Sequence, residues 1–173
     1  TAKRLQELVQ AKKIKTLTAR RGAKLILDEG VVLEILSPGG AVLDAASNES
    51  SIVAKLIFGE TDFLLTGDAP QKIERAVLAR DGARLAAEVL KVGHHGSKTS
   101  TAPEFLAAVQ PEQAIISVGA RNRYGHPAPE VLQTLAAAGV KVWRTDEDGA
   151  VIIKTDGRSL DVSGTKTKKY RQR

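Results

Sequence analysis

The chain has no cysteine and no methionine among its 173 residues, and only three histidines, one Trp, two Tyr and three Phe. Without cysteine there are no disulfides and no thiolate-held zinc, so any metal must be held by His, Asp or Glu. The same absence says nothing about redox compartment. With so few aromatic residues, the core must be built from Leu, Ile, Val and Ala. No apolar run approaches the roughly 18–20 residues of a membrane span, and no signal peptide is visible. The first residue is Thr1, not Met, which leads us to expect a chain processed or cut from something larger.

A length of 173 residues with 42% apolar content suits one globular domain with a real core. The net charge of +6 is concentrated at one end: Lys166–Arg173 holds five basic residues and no acidic one, which leaves the body close to neutral. Such a tail can hold phosphate electrostatically. It has little apolar surface to bury, and the expectation is a disordered, solvated end.

Along the chain, Leu5, Leu8 and Val9 mark a short helix to about Lys13, and Ile14–Leu17 reads as a strand. Lys24–Leu27 and Val31–Leu36 flank the turn Asp28-Glu29-Gly30; Ser37-Pro38-Gly39-Gly40 stops the second of them. Ser51–Phe58 and Phe63–Thr66 are two further strands, and Pro70 opens a helix to about Arg80. Val89–Val92 is a short buried strand ending at Gly93. The remainder alternates: helix Ala102–Val109, strand Gln113–Val118, helix Pro129–Ala138, strand Val140–Arg144, a turn at Asp146–Gly149 and strand Ala150–Lys154. Strands first and β-α-β-α-β afterwards predict an α/β layered fold with a mixed sheet.

The unusual polar residues fall at equivalent places. Asp68 follows one apolar strand, His94 and His95 follow the next, and His126 lies in the loop after the third. In a layered α/β fold such strand ends share one edge, where sites are built. Carboxylate and imidazole together suit Zn²⁺ or Mn²⁺, and paired cations can generate hydroxide and assist an in-line phosphoryl displacement. Read singly, Asp68 could instead cap the helix at Pro70, and His126 could be a loop residue held by Pro127.

Four segments, Asn48–Val53, Phe63–Asp68, Leu90–Ser97 and Asn122–Pro127, in this order and spacing, resemble the C-terminal metallo-β-lactamase-fold domain of ComEC-type competence proteins, which carry transforming DNA across the bacterial inner membrane. The resemblance covers about residues 1–155, with 156–173 left as a strand end and the basic tail. It implies an αββα sandwich of which this chain holds the C-terminal half to two-thirds. Asp68 takes the place of a metal-bridging carboxylate. The His94-His95 pair takes that of a ligand histidine, with His94 favoured as ligand and His95 behind it or against substrate; both are candidate metal residues. Asp68, His95 and His126 are the candidate catalytic residues, His126 holding the scissile phosphate or protonating the leaving oxygen. Ser97 and Asn122 are placed with His126 at the substrate rim, and Asn48 and Ser51 fix a loop and a strand start.

One departure qualifies this. The family's main metal motif, His-x-His-x-Asp-His, is missing, since Thr1–Gly93 contain no histidine. A cation would have too few ligands here, an exposed sheet face or edge is expected, and the chain alone is expected to be inactive. The intact form is implied to be a phosphodiesterase or DNase using two divalent ions, Zn or Mn, and no small organic cofactor. Its partners would be DNA and the rest of a parent polypeptide with a membrane channel domain, in the bacterial inner membrane with this domain on the extracytoplasmic side. A stand-alone secreted hydrolase of the same fold, and a non-catalytic DNA-binding remnant working through the tail, are the alternatives.

Overall fold

The computed structural model describes residues 2–40 and 48–166. The basic stretch from Thr167 onward lies outside the described residues, and with it most of the tail.

Helix α1 (Ala2–Ala11) comes first, followed by strands β1 (Lys24–Asp28), β2 (Val31–Ser37), β3 (Val53–Phe58) and β4 (Thr61–Leu65). Then come α2 (Gln71–Asp81), β5 (Val89–Lys91), α3 (Pro103–Val109), β6 (Gln113–Ile116), α4 (Pro129–Ala137) and β7 (Lys141–Arg144). A single helical turn α5 (Thr145–Asp148) and strands β8 (Val151–Thr155) and β9 (Leu160–Gly164) close the described chain. Strands β1 to β7 form one sheet in sequence order, antiparallel from β1 to β4 and parallel from β4 to β7. The predicted mixed α/β sheet is therefore present.

Each parallel step is a right-handed crossover through a helix, which sets α2, α3 and α4 on one face. The register aligns Leu64, Leu90 and Ala114 across that face. They pack with Val77, Leu85, Phe105, Leu106, Val109, Val131 and Leu135 from the helical side, all within 2–3% of complete burial. Each such side chain contributes about 1.5–3 kcal/mol by leaving water, so this layer holds the strand ends in place.

Hairpin β8–β9 is a separate two-stranded sheet whose turn meets the β3–β4 turn, where Glu60 N–H donates to Gly157 O at 2.6 Å and the Thr61 and Thr155 hydroxyls lie 3.1 Å apart. The approach requires glycine: a Cβ on Gly59 would meet Gly157 O at 2.5 Å. The strand expected over Ala150–Lys154 thus exists as β8, paired with β9 and not with the main sheet.

Two expectations fail. Ile14–Leu17 is not a strand. The Ile14 N–H donates to Val9 O at 3.0 Å and caps α1, so it has no donor for a ladder, and Ile14 and Leu17 stay exposed. The turn expected at Asp146–Gly149 is helical α5, because the Asp148 carboxylate reaches back to the Arg144 N–H at 2.8 Å. The leading section also leaves β1 as an open edge, with Ile26 81% exposed and Leu5 and Leu8 of α1 unburied. Among the described residues no helix is long and apolar enough to cross a membrane.

Candidate active site

The ends of β4, β5 and β6 deliver the candidate residues to one edge of the sheet. The β5 strand stops because Gly93 is buried too tightly for a side chain, a Cβ there falling 3.0 Å from Ala69 O and 3.3 Å from Ser100 Cβ. The chain then makes a tight turn, Gly93–Gly96, tied to the β4 end by His94 N–H donating to Gly67 O at 3.2 Å. Both histidines take left-handed backbone conformations, φ 45° and ψ 45° at His94 and φ 55° and ψ 22° at His95. A non-glycine residue there costs on the order of 1–2 kcal/mol. Two in succession are kept by the surrounding contacts, a pattern that concentrates at functional sites.

The ring nitrogens follow from their partners. His95 Nδ1 lies 2.7 Å from Ser117 O; a carbonyl only accepts, so Nδ1 carries a proton, and in the neutral ring Nε2 has the lone pair. That lone pair faces Asp68 Oδ1 at 3.8 Å. At His94 the Asn48 amide donates toward Nε2 and Nδ1 reaches Thr99 Oγ1, both at 3.4 Å. The His94 ring sits 5.8 Å from that of His126 and 6.3 Å from that of His95. Asp68, His94, His95 and His126 therefore do converge, but Asp68 stands beside His95, whereas the sequence favours His94 as ligand. The capping alternative for Asp68 is not what forms, since Pro70 caps α2 without a side-chain hydrogen bond.

The loop carrying His126 is positioned by Asn122, whose amide donates to His126 O at 2.8 Å and accepts from His126 N–H at 2.9 Å. Gly96 O accepts from Ala128 N–H at 2.8 Å, and a Cβ on Gly96 would strike Pro127 at 2.7 Å, so the two loops are locked together through that glycine. Ser97 is buried, its hydroxyl engaged by Thr99. Ser97 and Asn122, expected at the substrate rim, thus both hold the loops, and Asn122 also lines the cleft beside His126. Ser51 lies against Gly67, 3.3 Å from where a Cβ would be.

Burial, reinforced by His94 and His95 where their rings are protonated, pushes the His126 pKa below the ordinary histidine value. Lys91 is a residue that sequence reasoning did not single out. Its ammonium donates to Gly67 O and Val92 O at 3.2 Å, and burial lowers its pKa while the nearby Asp68 carboxylate opposes the shift. The signal was present in the strand alternation, which turns Lys91 to the face of the sheet opposite buried Leu90. Tyr124 was also passed over; it stacks on His126 with centroids 5.8 Å apart and planes at 19°. Beside these groups is a cleft of about 430 Å³ lined by His95, Ser117, Gly119, Asn122, Tyr124 and His126.

The donors present are of the right kind for Zn²⁺ or Mn²⁺, a carboxylate oxygen and an imidazole nitrogen whose far side is fixed by a carbonyl. They are too few: among the described residues no group of three or more His, Asp or Glu is placed to hold a metal ion. Asp68 and His95 alone fall short of the three or four protein ligands of a stable site.

No family model matches the chain. It is 41% identical over 154 residues to ComE operon protein 3 of Bacillus subtilis, a match covering 83% of this chain and 20% of that protein. It is 39% identical over 123 residues to Competence protein ComA of Neisseria gonorrhoeae, covering 71% of this chain and 18% of the relative. With Recombination protein 2 of Haemophilus influenzae the identity is 37% over 140 residues, 81% of this chain and 17% of the relative. The chain spans about a fifth of the length of these curated relatives, and over that span it belongs to the ComEC-type competence proteins.

Proposed function

We propose that this chain supplies the substrate side of a phosphodiesterase centre acting on DNA during its uptake, and that its helix-backed sheet is one half of a metallo-β-lactamase-like αββα sandwich. The observation that carries the reading is the pair formed by Asp68 Oδ1 and His95 Nε2, 3.8 Å apart, with His95 held in a left-handed backbone. With His95 neutral, these are two electron-rich atoms facing each other, an arrangement suited to receive a cation. The names of the relatives support DNA uptake as the setting.

A pair of Zn²⁺ or Mn²⁺ ions would supply an activated water and neutralise the phosphate, and needs donors beyond Asp68, His94 and His95. This chain's own residues have separate tasks. His95 and Asp68 face the cation, and Ser117 O holds the His95 tautomer. His126, favoured in its neutral form by its surroundings, stands across from His94 where its ring N–H can donate to a phosphoryl oxygen, while passing a proton to the leaving oxygen would call for its imidazolium form. Asn122 and Gly96 keep the His126 loop at that distance. The parent would sit in the inner membrane with this domain outside the cytoplasm.

The test is hydrolysis of bis(p-nitrophenyl) phosphate and of DNA by the full-length natural polypeptide with Mn²⁺ or Zn²⁺ added. Asp68→Asn and His95→Gln should each lower the rate by about 10²-fold or more, and His126→Gln should lower kcat by about 10²-fold. Wild-type rates in Asp68→Asn and His95→Gln would defeat the assignment.

A further inference from the structure

The loop between β6 and α4, residues 119–127, carries more than His126. It reads Gly-Ala-Arg-Asn-Arg-Tyr-Gly-His-Pro, with Arg121, Arg123 and Tyr124 all exposed. Tyr124 is 82% exposed, the most exposed large hydrophobic residue of the described chain. Its ring nonetheless has a neighbour on one side, lying nearly parallel to His126 with centroids 5.8 Å apart. Neither arginine forms an ion pair among the described residues. The loop beneath is braced by Asn122, which bridges Gly119 O, His126 O and the His126 N–H.

An exposed aromatic ring supported from behind by an imidazole has no folding role. Desolvating its open face requires a planar partner, and two flanking guanidinium groups call for anions on either side of it. A base between two phosphates meets both requirements. We propose that Tyr124, with Arg121 and Arg123, is a stacking platform for one unpaired base of a single-stranded nucleic acid, which sets the adjoining phosphodiester against His126 and the cleft. This rests on the phosphodiesterase reading for its consequence, and on the loop alone for its binding. The platform selects single strands because a paired base has both faces covered by its neighbours and cannot reach Tyr124. His126 is the link: the ring that stacks behind Tyr124 is the one that stands 5.8 Å from His94, so seating the base also sets the register of the backbone.

The experiment is fluorescence anisotropy with the 173-residue chain in EDTA, so that binding is independent of metal. The probes are a twelve-residue oligothymidylate, an abasic oligonucleotide of equal length, and a twelve-base-pair duplex. The wild type should bind the oligothymidylate about tenfold more tightly than the abasic strand or the duplex, the scale of one stacked base. Tyr124→Ala should bring the oligothymidylate to the abasic level and Tyr124→Phe should retain the preference. Arg121→Gln and Arg123→Gln should weaken both single strands alike and reduce the salt slope by about 0.7 per lost phosphate contact. The same preferences should persist when the five basic residues of Lys166–Arg173 are changed to Gln. No preference for bases, a preference indifferent to Tyr124→Ala, or loss of all binding with the tail substitutions would overturn the platform. Binding in EDTA is read without any hydrolysis, so a platform that fails here and a phosphodiesterase reading that fails in the metal-dependent assay are separate results.

Discussion

Replacing His94 by glycine should leave the fold as stable or more stable, and replacing it by alanine should not. In ordinary backbone the order is reversed, since glycine loses more freedom on folding and sits about 0.5–1 kcal/mol below alanine. At φ 45° and ψ 45° the left-handed strain is on the order of 1–2 kcal/mol for any residue with a Cβ and absent for glycine. Alanine keeps the strain, and both variants lose the same side-chain contacts, the two hydrogen bonds at 3.4 Å to Asn48 and Thr99. Those contacts are long and largely exposed, worth a few tenths of a kcal/mol at most. The difference between the variants therefore isolates the backbone term, and glycine should exceed alanine by about 0.5–1 kcal/mol. The assay is urea unfolding followed by circular dichroism, read as a shift in midpoint at constant m. In thermal unfolding the same difference is about 1–4 °C for a chain of this size. Alanine more stable than glycine would refute the claim that the site stores strain at His94. Metal-dependent hydrolysis in the full-length protein should fall in both, so a glycine variant that is stabilised and impaired is the signature of strain retained for function.

Glu74 is 1% exposed and accepts the N–H groups of Thr101 and Ala102, one on each oxygen at 2.8 Å, tying α2 to the start of α3 behind the histidine turn. Glu74→Gln leaves one of those donors facing an NH₂ group, and should cost about 1–3 kcal/mol in urea unfolding. Burial raises the Glu74 pKa, so the folded state binds its proton more tightly than the unfolded one. Its titration favours folding at low pH and loses that contribution as pH rises through the folded value, so the stability of wild type relative to Glu74→Gln should decline from acid toward neutral pH. At the β8–β9 turn, the Ser159 and Arg158 N–H groups and the Ser159 hydroxyl hold the Asp156 pKa down to about 2. This contribution is present above the ordinary aspartate range and is lost as pH falls through about 2. Carboxyl-carbon NMR should place the midpoint there, and a midpoint near 4 would mean that the turn is open in solution.

How much of this could be read from the chain depends on the range of the interaction. Periodicity and punctuation located nearly all of the sheet strands and helices, because Gly, Pro and the alternation of apolar residues act within a few positions of one another. They failed at Ile14–Leu17, where a β-branched run looks like a strand and only the capping bond from Ile14 to Val9 O shows otherwise. They also could not show that β8 would leave the main sheet, since that depends on α5 and on the contact between Gly59 and Gly157, about a hundred positions apart.

The sequence by itself determined the chemical inventory at the site: no thiolates, one Asp and three histidines at successive strand ends, and two arginines with a tyrosine in the last loop. It could do so because residue type and strand order are local properties. Only the tertiary structure decided which of those groups meet. The left-handed turn swings His95 toward Asp68 and His94 toward His126, a choice set by the backbone angles and by Ser117 O just past the end of β6. It also decided that Ser97 and Asn122 hold loops while Tyr124 faces outward, since burial is a property of packing across the fold and cannot be assigned to a residue from its neighbours in sequence.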